Sequence, residues 1–256
     1  MTLILLTLLL SYTLLFLYSL YRRDNTVVDE FWGIGFIIIA WLSYALWDGG
    51  MPHMLVTGLV TLWWVRLSYH LISRQRSRKH EDPRYALWRE QWGSGWYFYV
   101  RSFLQVFLLQ MILMLIVAMP ILVMNGIGID IGIVENTHIF AIIGVLVALF
   151  GLVFEAIGDR QLAWFVTTKQ SGQIMQTGLY RYTRHPNYFW ESMFWLGVSL
   201  IALPFSYLAL IGWVSITGLL LFVSGVPMQE ARYEWRLEWE AYKSRTSVFV
   251  PWWPQK

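Results

Sequence analysis

Apolar runs of about twenty residues recur along the chain, and all 19 Lys and Arg lie in or close to alternate connections between them, or in the C-terminal tail. Crossing a ~30 Å hydrocarbon core takes about 20 helical residues, so the runs predict membrane-spanning helices. Seven are expected, over roughly Thr2–Tyr21, Phe31–Trp47, Met54–Ile72, Phe103–Met124, Ile139–Trp164, Tyr188–Leu203 and Tyr207–Val226, the last two joined by a tight turn at Pro204-Phe205-Ser206. The connections Asp48–His53, Asn125–His138 and Pro204–Ser206 contain no Lys or Arg. The positive-inside rule then predicts an outside N-terminus and a cytoplasmic tail, Pro227–Lys256. The first run, Leu3–Leu20, has neither a basic stretch before it nor a small-residue cleavage site after it, and is expected to stay as a helix.

The fold class expected is therefore all-α and integral to a membrane. With 57% hydrophobic and only 14% charged residues, the excess apolar surface has to face lipid. No connection is long enough to fold alone, so residues 1–256 read as a single transmembrane domain. The absence of cysteine excludes disulfides, thiolate metal sites and thiol nucleophiles, and no metal site is expected. The net charge of +3 does not point to nucleic acid. Its basic residues flank apolar segments, which suits anionic lipid or an anionic cofactor. Aromatic residues make up 18%, more than two interfacial belts require, so some rings are expected to line a pocket.

Ionisable groups within spanning segments are costly and mark candidate sites. Arg66, His70 and Arg74 follow one another at i, i+4, i+8 on the third helix, a cationic ladder that suits a polyanion such as a dinucleotide pyrophosphate. Arg74 could equally snorkel, and Arg66 pair with a carboxylate. Glu155 and Asp159 share a face of the fifth helix and need a cation, a ribose or an amide between them. Asp29-Glu30 opens the second helix, where the macrodipole alone would favour acids. Asp82, Arg84 and Tyr85 read as a solvated charge run in a loop. Glu230, Glu234 and Glu238, with Arg232 and Arg236 between them, predict a short amphipathic helix with its charge in solvent.

The most specific local pattern is Gly178-Leu-Tyr-Arg-Tyr-Thr-Arg-His-Pro-Asn-Tyr188, followed by Glu191. Pro186 biases His185 toward extended backbone and can start a helix, which leaves Asn187 and Glu191 one turn apart on it. Amides at that start, with Arg184 and His185, suit an anionic or amide-bearing ligand.

This run resembles the C-terminal signature of the steroid 5-alpha-reductase and sterol reductase superfamily, especially its bacterial branch. Weaker similarity covers most of the chain: Asp29 with Trp32-Gly33, Arg66-Leu67, Glu81-Asp82, Arg84-Tyr85, Asp159, Tyr242 and Pro251-Trp252. The resemblance implies seven helices in a bacterial inner membrane. Residues 1–135 would lie on the substrate side and 136–256 on the side of an NADPH cofactor. It further implies reduction of an activated carbon–carbon double bond in a lipophilic, steroid- or isoprenoid-like enone. Asp29, neutral through burial, and Tyr69 would be catalytic. Arg66, His70, Arg74, Arg184 and Arg232 would meet the phosphates, and Asp159, His185, Asn187, Tyr188 and Glu191 the rest of the cofactor. In the superfamily a second-helix Glu is paired with a third-helix Tyr before the Arg; Asp29 and Trp63 hold those places here. A shorter Arg-His-Pro-x-Tyr motif is also similar to the isoprenylcysteine carboxyl methyltransferases, so an S-adenosylmethionine-dependent enzyme is the alternative. A transporter is disfavoured because no inverted repeat or broken helix pair is present. A non-catalytic module would leave the buried ionisable groups unexplained.

Overall fold

A computed structural model of the chain describes residues 1–47, 50–75, 81–126, 137–170, 172–234 and 236–254; of residues 69–75 it describes the backbone alone. The described residues are helical with no strand, and the chain divides into two compact units, Met1–Ile129 and Asp130–Lys256.

In the first unit α1 (Thr2–Arg22) stops at Arg23, which takes the left-handed conformation and returns its amide to Leu20. α2 (Val27–Leu46) starts four residues before the predicted Phe31, so Asp29 and Glu30 fall within its first turn. α3 spans Gly50–Gln75 and packs against α2, with Phe36 edge-on to the buried Trp63 at 5.7 Å. Asp82 and Pro83 then set the start of α4 (Pro83–Trp92): the Asp82 carboxylate accepts the Arg84 amide at 3.0 Å, and proline needs no partner for an amide it lacks. α5 (Trp96–Val117) contains a π-helical stretch, Phe103–Leu108, and α6 (Met119–Val123) follows it. Far from α4, a buried polar cluster joins His53 to Asn125 (3.2 Å) and Asn125 to Ser43 (2.7 Å).

The second unit is built on α7 (Thr137–Thr168) and α8 (Pro186–Ala202). Their contact is a seam of small residues, because a Cβ on Gly197 would stand 2.4 Å from the Ala148 amide nitrogen and one on Gly151 2.6 Å from that of Phe194. Lipid cannot drive apolar helices together, so backbone approach of this kind supplies the van der Waals energy instead. α9 (Ala209–Gly218) continues into a π-helical turn, Leu219–Val223, and after a bend come α10 (Val226–Glu230) and α11 (Leu237–Arg245).

Among the described residues, five helical stretches are long and apolar enough to cross a membrane: Thr2–Arg22, Val27–Leu46, Trp96–Val117, Thr137–Thr168 and Ala209–Glu230. The chain is thus a multi-pass membrane protein. The expected third and sixth spans form as helices α3 and α8 but are not among the five; α8 has 17 residues, ~26 Å of rise. The amphipathic helix expected across Glu230–Glu238 does not form as one piece. Helix ends at Glu230 and resumes at Leu237, since Glu230 is drawn into an ion pair inside the unit instead of facing solvent.

Candidate functional site

In the first unit, polar groups converge on Asp29. Arg84 Nη2 donates to its Oδ2 at 2.8 Å, and the Tyr85 hydroxyl and Gln110 Nε2 donate to its Oδ1 at 2.7 and 3.1 Å; Gln110 also donates to the Tyr85 oxygen at 3.2 Å. The α4 cap aims these groups, because Asp82 holds the Arg84 amide and its Nε (2.9 Å) together. A second layer fixes the same corner: Asp82 donates its amide to Thr26, Asn25 its amide to Glu81, and Arg89 grips Glu81 at 2.8 and 3.0 Å. The Asp29 and Arg84 side chains remain about one-third exposed, at 33% and 34%. Burial, then the charge of Asp29, push the Tyr85 phenol well above its ordinary 10.0, so it stays a protonated donor. Burial by itself would lower the Arg84 pKa. The Asp82 hydrogen bond and the Asp29 charge outweigh it, and the guanidinium stays cationic.

This geometry corrects one expectation. Asp82, Arg84 and Tyr85 are not a solvated run: Asp82 and Tyr85 are buried, and all three are built into one network. The Asp29 side chain accepts from a guanidinium, a phenol and an amide, so Arg84 and Tyr85 are the donors of the cluster. The Asp82-Pro83 cap and Gln110, one of two glutamines inside an apolar run, are the sequence signals for this cluster. The side chains of Tyr69, His70 and Arg74 lie outside the described residues; Arg66 is half-buried on α3.

In the second unit Pro186 starts α8 as predicted, and the Gly178–Arg181 turn precedes it, with Gly178 at φ +62° against Gln161 and the Leu179 amide on Gln161 Oε1 at 2.9 Å. Here Glu230 accepts from Arg184 Nε at 2.8 Å and His185 Nε2 at 3.0 Å, so that ring nitrogen carries the proton. Arg184 Nη1 donates to the Lys243 and Thr246 carbonyls at 2.9 and 3.0 Å. With three of its five donors committed inside the unit and only 9% exposure, Arg184 is a clamp between the His-Pro turn and the tail. His185 is buried and stacks on Tyr188 at 5.3 Å.

Beside that clamp lies a group of polar side chains at the head of α8. Gly158 brings α7 close to the head of α8, where a Cβ would stand 3.8 Å from the Asn187 amide, and the next residue, Asp159, is buried. The Asn187 side chain makes no hydrogen bond among the described residues. The Tyr180 hydroxyl is buried with no hydrogen-bond partner among the described residues, and burial followed by the charge of Asp159 raises its pKa. Arg160, Arg181 and Arg232 are exposed, without partners among the described residues. Glu191 is half-buried, one turn along α8 from Asn187. The structure thus brings Asp159, His185, Asn187, Tyr188 and Glu191 to one end of this unit. It adds Tyr180 and Glu230, which sequence reasoning missed.

A family described as "Protein of unknown function (DUF1295)" matches residues 15–246, most of the chain. No curated protein and no solved structure matches it.

Proposed function

The chain belongs to the DUF1295 family, a family associated with steroid 5-alpha-reductase-like proteins, and from that premise we propose that it is an NADPH-dependent reductase of an activated carbon–carbon double bond in a lipophilic enone. We read it as seven spans, α3 and α8 included, with the tail in the cytoplasm, in keeping with the segregation of Lys and Arg.

The observation that carries the reading is the polar group at the head of α8, where the Asn187 side chain and the Tyr180 hydroxyl make no hydrogen bond among the described residues. A nicotinamide carboxamide offers an acceptor and a donor, and a ribose offers hydroxyls; Asn187, Glu191, Asp159 and the Tyr180 hydroxyl are complementary in kind. The residues therefore fit the group. Arg160, Arg181 and Arg232 supply the cations its phosphates need. Arg184 and His185, locked on Glu230, fix the turn that presents them. When bound, NADPH would supply the hydride. Reduction of an enone throws negative charge onto its carbonyl oxygen, and a preorganised cationic or phenolic donor lowers the barrier there. Within the first unit, Arg84 and Tyr85, held by Asp29, are preorganised donors of the kind such a charge requires.

The test is equilibrium binding of NADPH and of S-adenosylmethionine to the detergent-purified protein, with Asn187→Ala in parallel. NADPH binding that weakens in the variant is the expected result. Binding of S-adenosylmethionine without NADPH would overturn the reductase and favour a methyltransferase.

A further inference from the structure

The end of α11 and the segment after it border an open, shallow cavity of about 300 Å³, lined by Ser244, Arg245, Thr246, Ser247, Trp252 and Trp253. That volume is at the small end of the ~300–1,000 Å³ typical of small-molecule sites. Its walls are fixed from behind. The Arg184 amide donates to the Ser247 carbonyl at 2.8 Å and its guanidinium holds the carbonyls of Lys243 and Thr246. The Trp252 amide donates to the Tyr182 carbonyl at 2.9 Å, and Trp253 stands edge-on to Tyr182 at 5.5 Å. A cavity held by so many backbone contacts exists before any ligand arrives, so little ordering has to accompany binding.

Its chemistry is that of an anion site. No Asp or Glu lines it, and Arg245 commits only Nη2, to the Gln176 side-chain oxygen. Thr246 is 5% exposed, yet its hydroxyl makes no hydrogen bond among the described residues, and the Ser247 hydroxyl makes none either. Two hydroxyls and a guanidinium with free donors suit a phosphate. The rim is of another kind. Trp252 and Trp253 are 69% and 73% exposed, and Val248 and Val250 are exposed beside them. Large exposed indoles beside a cation, on a chain whose helices are made for a bilayer, belong at the lipid–water interface. A soluble phosphate has no use for that rim.

We propose that this cavity binds the phosphodiester head group of an anionic phospholipid, with Arg245, Thr246 and Ser247 on the phosphate and Trp252 and Trp253 at the glycerol level of the bilayer. The site anchors the tail to the membrane surface and is independent of the polar group at the head of α8.

The experiment is native mass spectrometry of the full chain in detergent, titrated with phosphatidylglycerol or phosphatidylcholine and, separately, with inorganic phosphate. Wild type should retain phosphatidylglycerol over phosphatidylcholine by about fivefold, the preference one cation near an anionic surface gives. Arg245→Gln should abolish the preference, Arg245→Lys should restore most of it, and Arg22→Gln, an exposed arginine of the other unit, should leave it intact. Thr246→Val, which leaves the Arg245 bond to Gln176 in place, should reduce it even if Arg245→Gln loosens the tail. Undiminished preference in both Arg245→Gln and Thr246→Val would overturn the proposal. Displacement of the lipid by millimolar inorganic phosphate would overturn it too, and make this a site for a soluble anion.

Discussion

Each unit is organised around one carboxylate that grips one arginine, yet the two clusters have opposite consequences. Glu230 and Arg184 are 13% and 9% exposed, and the arginine also holds two backbone carbonyls. Asp29 and Arg84 are about three times more open, and Arg84 has no backbone carbonyl to hold. A largely buried pair with most of the arginine's donors committed fixes structure, because removing one partner strands the other charge. A part-exposed pair whose arginine keeps free donors contributes less to stability and leaves its chemistry available. Residue type does not separate the two cases; surroundings do.

The contrast can be broken most directly at Glu230. Glu230→Ala should destabilise the protein by about 3–5 kcal/mol and free the tail, seen as a lower unfolding midpoint in detergent and faster proteolysis after Arg245. Asp29→Ala should shift the same midpoint by about 1 kcal/mol or less. Equal effects would mean that the difference in exposure carries no energetic meaning. At the open cluster the expected loss is in rate: Arg84→Met should lower kcat for enone reduction by about 10² while NADPH affinity stays within twofold, about the lower end for loss of one oxyanion donor.

Alkaline pH sharpens the comparison. Burial raises the phenols of Tyr85 in the first unit and Tyr180 in the second above their ordinary 10.0. A phenol raised on folding adds stability that is complete below 10.0 and is lost as pH rises toward its folded value. Unfolding midpoints should therefore fall above pH 10. Tyr85→Phe or Tyr180→Phe should each remove about one proton's share of that slope, ~1.4 kcal/mol per pH unit. A slope unchanged by both substitutions would show that neither phenol titrates differently in the folded protein. The smallest effect is expected at Asn187, where Asn187→Ala should leave stability unchanged and weaken NADPH binding by about 3- to 10-fold, the worth of one hydrogen bond. A drop in stability there would make Asn187 a structural residue.

What could be read in the chain followed from local or one-dimensional physics. The period and length of the apolar runs gave the helices, and the proline after His185 placed the start of α8. Composition alone excluded thiol chemistry. The resemblance pointed to His185, Asn187 and Glu191, and the structure places them together at the head of α8 without testing their role.

What the sequence by itself determined is therefore an all-helical membrane chain and the position of its most specific turn. Only the tertiary structure decided which charges are available. Asp29 meets Tyr85 across 56 residues and Arg184 meets Glu230 across 46, separations over which no helical periodicity carries information. Glu230 sits in a four-residue repeat that reads as solvated, and is instead enclosed because an arginine and a histidine from another element reach it first. The pairing of a charge is a property of the space around it, and that space exists only once the helices have packed.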